Sequence, residues 1–270
     1  MSALSEALQD ALPAKRRAKI LDIIRQHGAV SIQELSYETG VSAATIRRDL
    51  NYLSEYNYIE RTHGGAVLSQ LTAFEPGHDI NAASARNEKE AIGHAAAMRL
   101  KRGQSVIFDF SSTVLEAAKV VAQQNLAIQA ITNDIAIAHV LASAPHIKVI
   151  VPGGSVRPNS YALLGEPGLR FFETLNADVV LLGIHGLADD MLSDTSIEVA
   201  ASKRAVMNAA QRRILLADAS KAKAKAFCKV CSINEVHELI TDTGASDAWC
   251  QRLQEQDIKV EKIDSRKAVL

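Results

Sequence analysis

A cluster of small polar residues has the composition of an anion-binding site. Asp109, Ser111, Ser112 and Thr113 lie at and just beyond the end of the apolar run SVIFDF at residues 105–110. The run predicts a buried strand, and the residues after it predict the first turn of a helix. Hydroxyls and unpaired backbone N–H groups at a helix N-terminus bind anions, phosphate above all. The same residues also suit plain N-capping by Ser111 or Ser112, which needs no ligand.

Similar polar clusters follow the other predicted strands. Gly153 and Gly154 let a backbone approach a ligand and Arg157 can pair with a phosphate, although two glycines also suit an ordinary turn. His185, between Gly183 and Gly186, is more typical of a structural residue than of a ligand-binding one. In open α/β sheets ligands bind at the carboxyl ends of the strands, so the recurrence of these clusters predicts one effector site. Its predicted members are Asp109, Ser111, Ser112, Thr113, Thr132, Asn133, Gly153, Gly154, Arg157, Gly183, Glu198, Asp218 and Lys221.

Short apolar segments alternate with helical segments from residue 103 onward. The predicted strands are 105–110, 126–132, 147–152, 178–184, 213–218, 238–241 and 258–263. The predicted helices are 88–100, with Glu88, Lys89 and Glu90 opening its exposed face, 111–123, 135–142, 166–174, 196–210 and 246–255. This alternation predicts an α/β fold with a doubly wound, mainly parallel sheet that is covered on both faces.

A second constellation, in residues 31–56, is suited to DNA. Ser31 and Ser42 are placed as N-caps and Gly40 as a helix end, which predicts a short helix, a turn and a second helix over about residues 43–56. This pair of helices is typical of a helix-turn-helix.

The second of these helices has a buried stripe and a charged outer face. At about 100° per residue, Ile46, Leu50 and Leu53 fall within about 40° of one another, while Arg48 lies about 200° from Ile46. Small residues followed by arginines suit the major groove, although a charged face is also expected of any solvated helix. The predicted DNA contacts on this helix are Ser42, Ala44, Thr45, Arg47, Arg48, Asn51 and Tyr52.

A β-hairpin wing is predicted directly after this helix. Residues 58–61 and 66–68 form its strands, and residues 62–65 form a glycine-containing turn. Arg61 and His63 lie near its tip, where they can reach phosphate or the minor groove.

The composition fits a cytoplasmic α/β protein. The 270 residues suffice for a small module and one larger domain, and the three cysteines suit a reducing compartment. No stretch approaches the roughly 20 apolar residues of a membrane span, and no secretion signal is expected at the N-terminus. The net charge of −1 argues against a strongly basic nucleic-acid binder, but a DNA contact needs only a local patch. Low total charge therefore predicts reliance on avidity within a homodimer or homotetramer.

Three segments are predicted from composition. Residues 1–13 are expected to be a ragged tail, residues 14–68 a winged helix-turn-helix whose first helix covers 15–27, and residues 69–86 a linker. The linker can also include a short arm that packs on one of the two domains. The basic start of that first helix suits either the DNA backbone or solvent. Residues 87–265 are expected to be the effector domain.

Two long motifs, TIRRDL and IERTHGGAV, closely resemble the winged helix of the DeoR family of bacterial transcription regulators. DFSST, TND, PGGSVR, EVAASKR and ADASK resemble successive motifs of that family's effector domain, so the resemblance covers about residues 15–265. It implies a fold similar to sugar-phosphate isomerases and coenzyme A transferases, and an effector that is a phosphorylated sugar or a related intermediate. It also implies that residues 109–113 hold phosphate, with help from Arg157 and Lys221. The implied role of Thr132, Asn133, Glu198 and Asp218 is to contact effector hydroxyls or to link the site to helices that move.

The chain departs from the family pattern at two places. Ser111 stands where the family usually has glycine, so its side chain either crowds a phosphate or donates an extra hydroxyl. Ala222 and Lys223 stand where the family usually has an aromatic residue and a glycine.

Three functions remain open at this stage. The first, which we favour, is a DNA-binding regulator, expected to repress a carbohydrate-utilisation operon under control of a phosphorylated sugar. The second is an isomerase-like enzyme with an accessory DNA-binding head, for which Asp109, Glu198 and Asp218 are candidate bases. The third is a DNA-binding protein whose second domain serves only assembly. No cofactor is expected, and a single CxxC at Cys228 and Cys231 predicts no metal site.

Overall fold

The computed structural model describes residues 3–56, 58–69, 78–124, 126–222 and 224–266. The chain divides into two compact units, Met1–Arg86 and Asn87–Leu270. Lys223, at one of the departures from the family pattern, lies outside the described residues. Within the described residues, no helix is long and apolar enough to cross a membrane.

The first unit contains the predicted winged helix-turn-helix. Its elements are α1 (Ala3–His27), β1 (Ala29–Ser31), α2 (Ile32–Thr39), α3 (Ala43–Glu55), β2 (Ile59–Arg61), β3 (Gly65–Leu68) and α4 (His78–Ala83). The strands form an antiparallel sheet in the order β1-β3-β2, so the wing has a third strand that the sequence analysis did not predict. Helices and sheet share one apolar core.

The N-terminal helix begins much earlier than predicted. Residues 1–13 were expected to be a ragged tail, but α1 starts at Ala3 and Pro13 lies inside it. The segment before Pro13 is rich in Ala and Leu. These residues have high helix propensity, which favours helix before the proline.

The predicted linker is only partly irregular. Residues 70–77 of it lie outside the described part of the chain, and α4 follows them. Ile80 of α4 is buried in the core of the first unit, and the hydroxyl of Ser84 donates to Asp22 at 2.5 Å and accepts from Arg25 at 2.9 Å. The end of the linker therefore packs on α1, as expected of a short arm that packs on one domain.

The second unit is an α/β domain. It contains the helices α5 (Arg86–Ala97), α6 (Ser112–Gln123), α7 (Ile135–Ala142), α8 (Gly168–Glu173), α9 (Ile197–Asn208) and α10 (Asp247–Gln254). Its strands are β4 (Ser105–Phe108), β5 (Ile128–Thr132), β6 (Ile147–Ile150), β7 (Ser155–Val156), β8 (Leu163–Leu164), β9 (Ala177–Gly183), β10 (Gly186–Ala188), β11 (Met191–Asp194), β12 (Ala210–Leu216), β13 (Cys228–Ser232), β14 (Glu238–Asp242) and β15 (Lys259–Ile263).

Seven of these strands form the predicted parallel sheet, in the order β15-β14-β12-β9-β4-β5-β6. Strand residues alternate between two apolar cores. Phe108 packs in the core that contains residues of α5, α6 and α7, while Ile107 packs in the core that contains residues of α8, α9 and α10. The central strand β4 is buried over Val106, Ile107 and Phe108 because both faces are covered there, whereas the edge strand β15 carries Lys259, Glu261 and Lys262. The prediction of a doubly wound sheet is confirmed.

Two smaller sheets were not predicted. β7 and β8 form an antiparallel hairpin, and β10, β11 and β13 form a three-stranded antiparallel sheet. Cys228 and Cys231 of the CxxC therefore lie on a strand. These strands have two to five residues, too few to establish a period of two in the sequence.

Candidate nucleic-acid interface and ligand site

The helix-turn-helix forms where its capping residues predict it. Ser31 and Glu34 make a reciprocal capping box at the start of α2, and Gly40 ends that helix with φ of 72°. The hydroxyl of Ser42 accepts from the backbone N–H of Thr45 at 3.3 Å and begins α3. These capping residues thus give hydrogen-bond partners to backbone groups at the helix ends that would otherwise lack them.

The buried stripe of α3 is the predicted one. Ile46, Leu50 and Leu53 have no exposed surface, and Ala44, Arg47 and Arg48 are exposed. Neither Arg47 nor Arg48 makes a side-chain hydrogen bond or ion pair with any described residue. Two free guanidinium groups thus lie on the exposed side of the helix.

The wing contributes a further part of the exposed surface. Arg61, at the end of β2, donates from Nη1 to Oδ1 of Asn51 on α3, and His63 is exposed in the turn. Gly65 is required by the sheet, because a Cβ there would lie 2.0 Å from the carbonyl oxygen of Val30.

Two predicted DNA contacts on α3 also have partners within the protein. The ring of Tyr52 lies 3.6 Å below the guanidinium of Arg17 and 4.6 Å from the ring of Tyr56. The hydroxyl of Thr45 lies 3.1 Å from that of Ser42. Tyr52 therefore packs against Arg17 and Tyr56, and Thr45 contacts the N-cap residue of α3.

The basic start of the first helix is paired within the protein. Arg16 donates to Asp49 at 2.5 and 3.1 Å, and Arg17 donates to Asp49 at 3.1 Å. Asp49 is fully buried, which the sequence analysis missed. Its position on α3, about 60° from Ile46 at 100° per residue, is the signal that predicts an inward-facing carboxylate.

In the second unit, a buried ion pair lies at the carboxyl edge of the sheet. Asp109 follows β4 and is fully buried; its Oδ2 accepts from Lys203 Nζ at 2.6 Å and from the backbone N–H of Gly183 at 3.2 Å. Lys203 also donates to the carbonyl of Gly183 at 2.8 Å, and its Nζ lies 3.8 Å from Asp194. Lys203 and Asp194 were not among the predicted site residues.

Burial dominates the titration of Asp109. Desolvation raises its pKa from 3.8 to about 6, against the opposing charge and hydrogen bond of Lys203. Its second oxygen, Oδ1, is buried and has no hydrogen-bond partner in the described residues. A buried acceptor without a partner is costly, so a ligand hydroxyl or a water is expected to donate to it.

The predicted anion cluster is the N-terminus of α6. Ser111 is its N-cap, and the hydroxyl accepts from the backbone N–H of Thr113 at 3.2 Å. The side chain of Ser111 lies against Gly183, where a Cβ would come within 2.2 Å of it. The side chain of Ser111 therefore fills the space that Gly183 leaves. Its hydroxyl also accepts from one of the backbone N–H groups that an anion would use. Ser112 is half-buried at the first position of the helix.

The cluster after β5 combines structural and open groups. The hydroxyl of Thr132 accepts from the backbone N–H of Asp134, which itself caps α7. Asn133 is buried and donates to Ser202 of α9 at 3.0 Å, while its Oδ1 is buried and has no partner in the described residues. Oδ1 of Asn133 is thus a second open acceptor after Oδ1 of Asp109, that is, a buried acceptor oxygen without a donor in the described residues.

The two glycines after β6 have a structural explanation. Gly153 has φ of 85° and Gly154 has φ of 131°, and a Cβ on Gly154 would lie 2.8 Å from the carbonyl of Leu164 in the adjacent hairpin strand. Arg157 lies at the turn of this hairpin, where its backbone N–H donates to Ala162. Glu198 is exposed; hydrogen bonds to its own backbone and to Ser196 lower its pKa, and the charge of Arg157 adds to this.

The polar cluster after β12, which includes Asp218 and Lys221, contains a third open acceptor. Asp218 is buried and accepts from Ser220 N–H at 3.0 Å through Oδ1, while Oδ2 has no partner in the described residues. Burial would raise the pKa of Asp218, but the charges of Lys221 and Lys89 outweigh it and lower the pKa. Lys89 was predicted to be on the exposed face of its helix, yet it is only 4% exposed, because Asp218 compensates its charge.

These residues share one edge of the sheet. The strands β12, β9, β4 and β5 are consecutive neighbours, so Asp218, Gly183, Asp109 and Thr132 follow adjacent strand ends. Cys228 and Cys231 lie on β13, outside the seven-stranded sheet, and burial raises the pKa of the Cys231 thiol to about 12. The described residues contain no group of His, Cys, Asp and Glu that would hold a metal ion.

Two family descriptions match the chain. The DeoR-like helix-turn-helix domain matches residues 16–72, and the DeoR C terminal sensor domain matches residues 84–243. The glycerol-3-phosphate regulon repressor of Escherichia coli (strain K12) is 31% identical over 92% of this chain and 98% of its own length. The transcriptional repressor GlcR of Bacillus subtilis (strain 168) is 30% identical over 91% of this chain and 95% of its own length.

Among solved structures, ribose 5-phosphate isomerase A from Neisseria gonorrhoeae covers 50% of this chain and 52% of its own length, with 13% identity and a TM-score of 0.38. A likeness this distant says nothing about activity. The full-length relatives are transcription regulators, which confirms the prediction of a regulator over that of an enzyme. With both domain matches and relatives along almost its whole length, the chain belongs to the DeoR family of transcription regulators.

Proposed function

We propose that this DeoR-family regulator is a transcriptional repressor that binds operator DNA through α3 and the wing and is controlled by a phosphorylated sugar. The observation that carries the DNA-binding part is the pair of exposed guanidinium groups on Arg47 and Arg48, which have no acceptor within the described residues. Unpaired arginines on the outer face of a helix-turn-helix suit guanine edges and phosphates. We assign the base contact to Arg48 and phosphate contacts to Arg47 and Arg61.

The effector site is proposed to lie at the carboxyl edge of the seven-stranded sheet. Three buried acceptor oxygens, on Asp109, Asn133 and Asp218, lack donors within the described residues. Sugar hydroxyls are donors that would satisfy such oxygens. The N-terminus of α6 supplies backbone N–H groups for a phosphate, and Arg157 and Lys221 supply positive charge. Relatives named for a glycerol-3-phosphate regulon support this chemical class.

Control of DNA binding follows from linkage between the two sites. An effector changes operator affinity only if it binds two states of the protein with different affinities. We propose a homodimer or homotetramer as the DNA-binding species, because one winged helix reads a short site and symmetric pairs of heads read two half-sites.

The decisive test is the substitution Arg48→Ala, measured by gel shift on operator DNA recovered by selection from random duplexes. We expect specific binding to be lost while circular dichroism stays that of the folded protein, since Arg48 is exposed. The matched control is Arg170→Ala, because Arg170 is an exposed arginine of α8 in the sensor unit. Unchanged operator affinity for Arg48→Ala would refute the assignment of α3 as the recognition helix.

A further inference from the structure

A side-chain hydrogen bond joins the wing and the recognition helix. Arg61, the last residue of β2, donates from Nη1 to Oδ1 of Asn51 on α3. Both residues are exposed, so the bond contributes little to the core. What it does is fix the orientation of the Asn51 amide.

The chemistry of the two groups determines which way that amide points. A guanidinium carries only donors, whereas an amide carries an acceptor oxygen and a donor nitrogen. The amide atom that faces Arg61 must therefore be the oxygen. The two N–H donors of Nδ2 then remain, and no acceptor within the described residues contacts them.

Asn51 lies on the surface that is proposed to enter the groove. At about 100° per residue, Asn51, Ala44 and Arg48 lie within about 60° of one another on the outer side of α3. A base contact by Arg48 therefore brings Asn51 close to the neighbouring base pair.

We infer that Arg61 is a positioning residue that sets the base preference of Asn51. Bidentate recognition of adenine needs both amide groups of asparagine, because N6 donates and N7 accepts. Arg61 takes one of the two lone pairs of Oδ1, and its positive charge beside that oxygen repels the N6 donor of adenine. Asn51 then chiefly offers its Nδ2 donors, which match the acceptor edges of guanine (O6 and N7) or thymine (O4). This inference rests on the proposed DNA-binding function and adds to it a specificity determinant on the wing.

The competing role for Arg61 is a plain phosphate contact. In that role it would leave Asn51 on binding, and its removal would weaken all operators alike. The two roles therefore differ in base preference and not in affinity alone.

The test uses the full chain and a double-mutant cycle. Operator DNA is selected with the unsubstituted protein, and affinities are then measured for all four base pairs at every half-site position with Arg61→Met, Asn51→Ala and the double variant. We expect Arg61→Met to shift preference towards adenine about tenfold at one position. In the Asn51→Ala background the same substitution should cause no shift, because Arg61 acts through Asn51.

Arg47→Met is the matched control, because it removes a nearby guanidinium and leaves the Asn51–Arg61 bond intact. It should weaken binding without moving preference at that position. A uniform loss of affinity for Arg61→Met, a shift that persists without Asn51, or the same shift in Arg47→Met would overturn the inference and leave the proposed function standing. Failure of the unsubstituted protein to enrich any sequence would overturn both.

Discussion

The side chain of Ser111 fills the space that Gly183 leaves empty. A Cβ at position 183 would lie 2.2 Å from both Cβ and Oγ of Ser111. Gly183 also donates to Asp109 and accepts from Lys203 through its backbone. Gly183 at the end of β9 therefore contacts both the start of α6 and the buried ion pair, and a side chain at this position would disturb that packing.

Gly183→Ala is predicted to destabilise the second unit by about 1–3 kcal/mol, the usual cost of overpacking a filled site. Adding Ser111→Gly should restore most of the lost stability, because the obstructing side chain is removed and a glycine N-cap costs only a few tenths of a kcal/mol. The measurement is urea unfolding followed by the fluorescence of Trp249, the one tryptophan of the chain. Equal instability of the single and double variants would contradict the proposed fit.

The Asp109 carboxyl is predicted to make stability depend on pH. Its pKa is about 6 in the folded protein against an ordinary value of 3.8, so between these values the folded chain binds more protons than the unfolded chain. The free energy of unfolding therefore falls as pH rises through this window. A difference of about two pH units corresponds to about 3 kcal/mol.

Asp109→Asn provides the comparison for this prediction. The unfolding free energy of the unsubstituted protein minus that of the variant should decrease by up to about 3 kcal/mol between pH 4 and pH 7. Groups that do not interact with Asp109 titrate alike in both proteins and cancel in the difference. A difference that stays constant with pH, or rises, would show that Asp109 is ionised throughout.

The helix-turn-helix was predictable because its signals are local. The caps Ser31 and Ser42, the αL position of Gly40 and the stripe of Ile46, Leu50 and Leu53 all depend on residues within a few positions of each other. The seven strands of the main sheet were likewise predictable, since short strand segments alternate with helices and the central strands contain apolar runs where both faces are covered.

The features that escaped prediction depend on partners distant in sequence. The charge of Asp218 interacts with that of the buried Lys89, and the buried Asp49 is paired with Arg16 and Arg17 from another helix. The three open acceptors of the proposed effector site emerge only from tertiary geometry, although Asp109, Asn133 and Asp218 themselves were predicted as site residues. Spacing along the chain does not report which of a carboxylate's oxygens is left without a donor.

Asp49 is predicted to hold α1 against α3. Its carboxylate accepts from two arginines that are only 20–25% exposed, so Asp49→Ala should lower the stability of the first unit by about 2–3 kcal/mol, in line with charge-assisted bonds to a buried group. Hydrogen exchange in peptides from α1 and α3 reports this loss. Glu55→Ala, at an exposed position of the same helix, should stay within about 0.5 kcal/mol. Equal exchange in the two variants would show that Asp49 does not tie the helices together.

The central claim is that a phosphorylated sugar at the sheet edge changes operator binding. The most direct measurement is fluorescence anisotropy of the selected operator with a panel of triose to hexose phosphates, each paired with its unphosphorylated parent. We predict that at least one phosphorylated compound changes operator affinity by about 5–150-fold, the usual range of such coupling, and that its parent does not. Operator affinity that stays the same across the whole panel, or that responds equally to a sugar and its phosphate, would contradict the account.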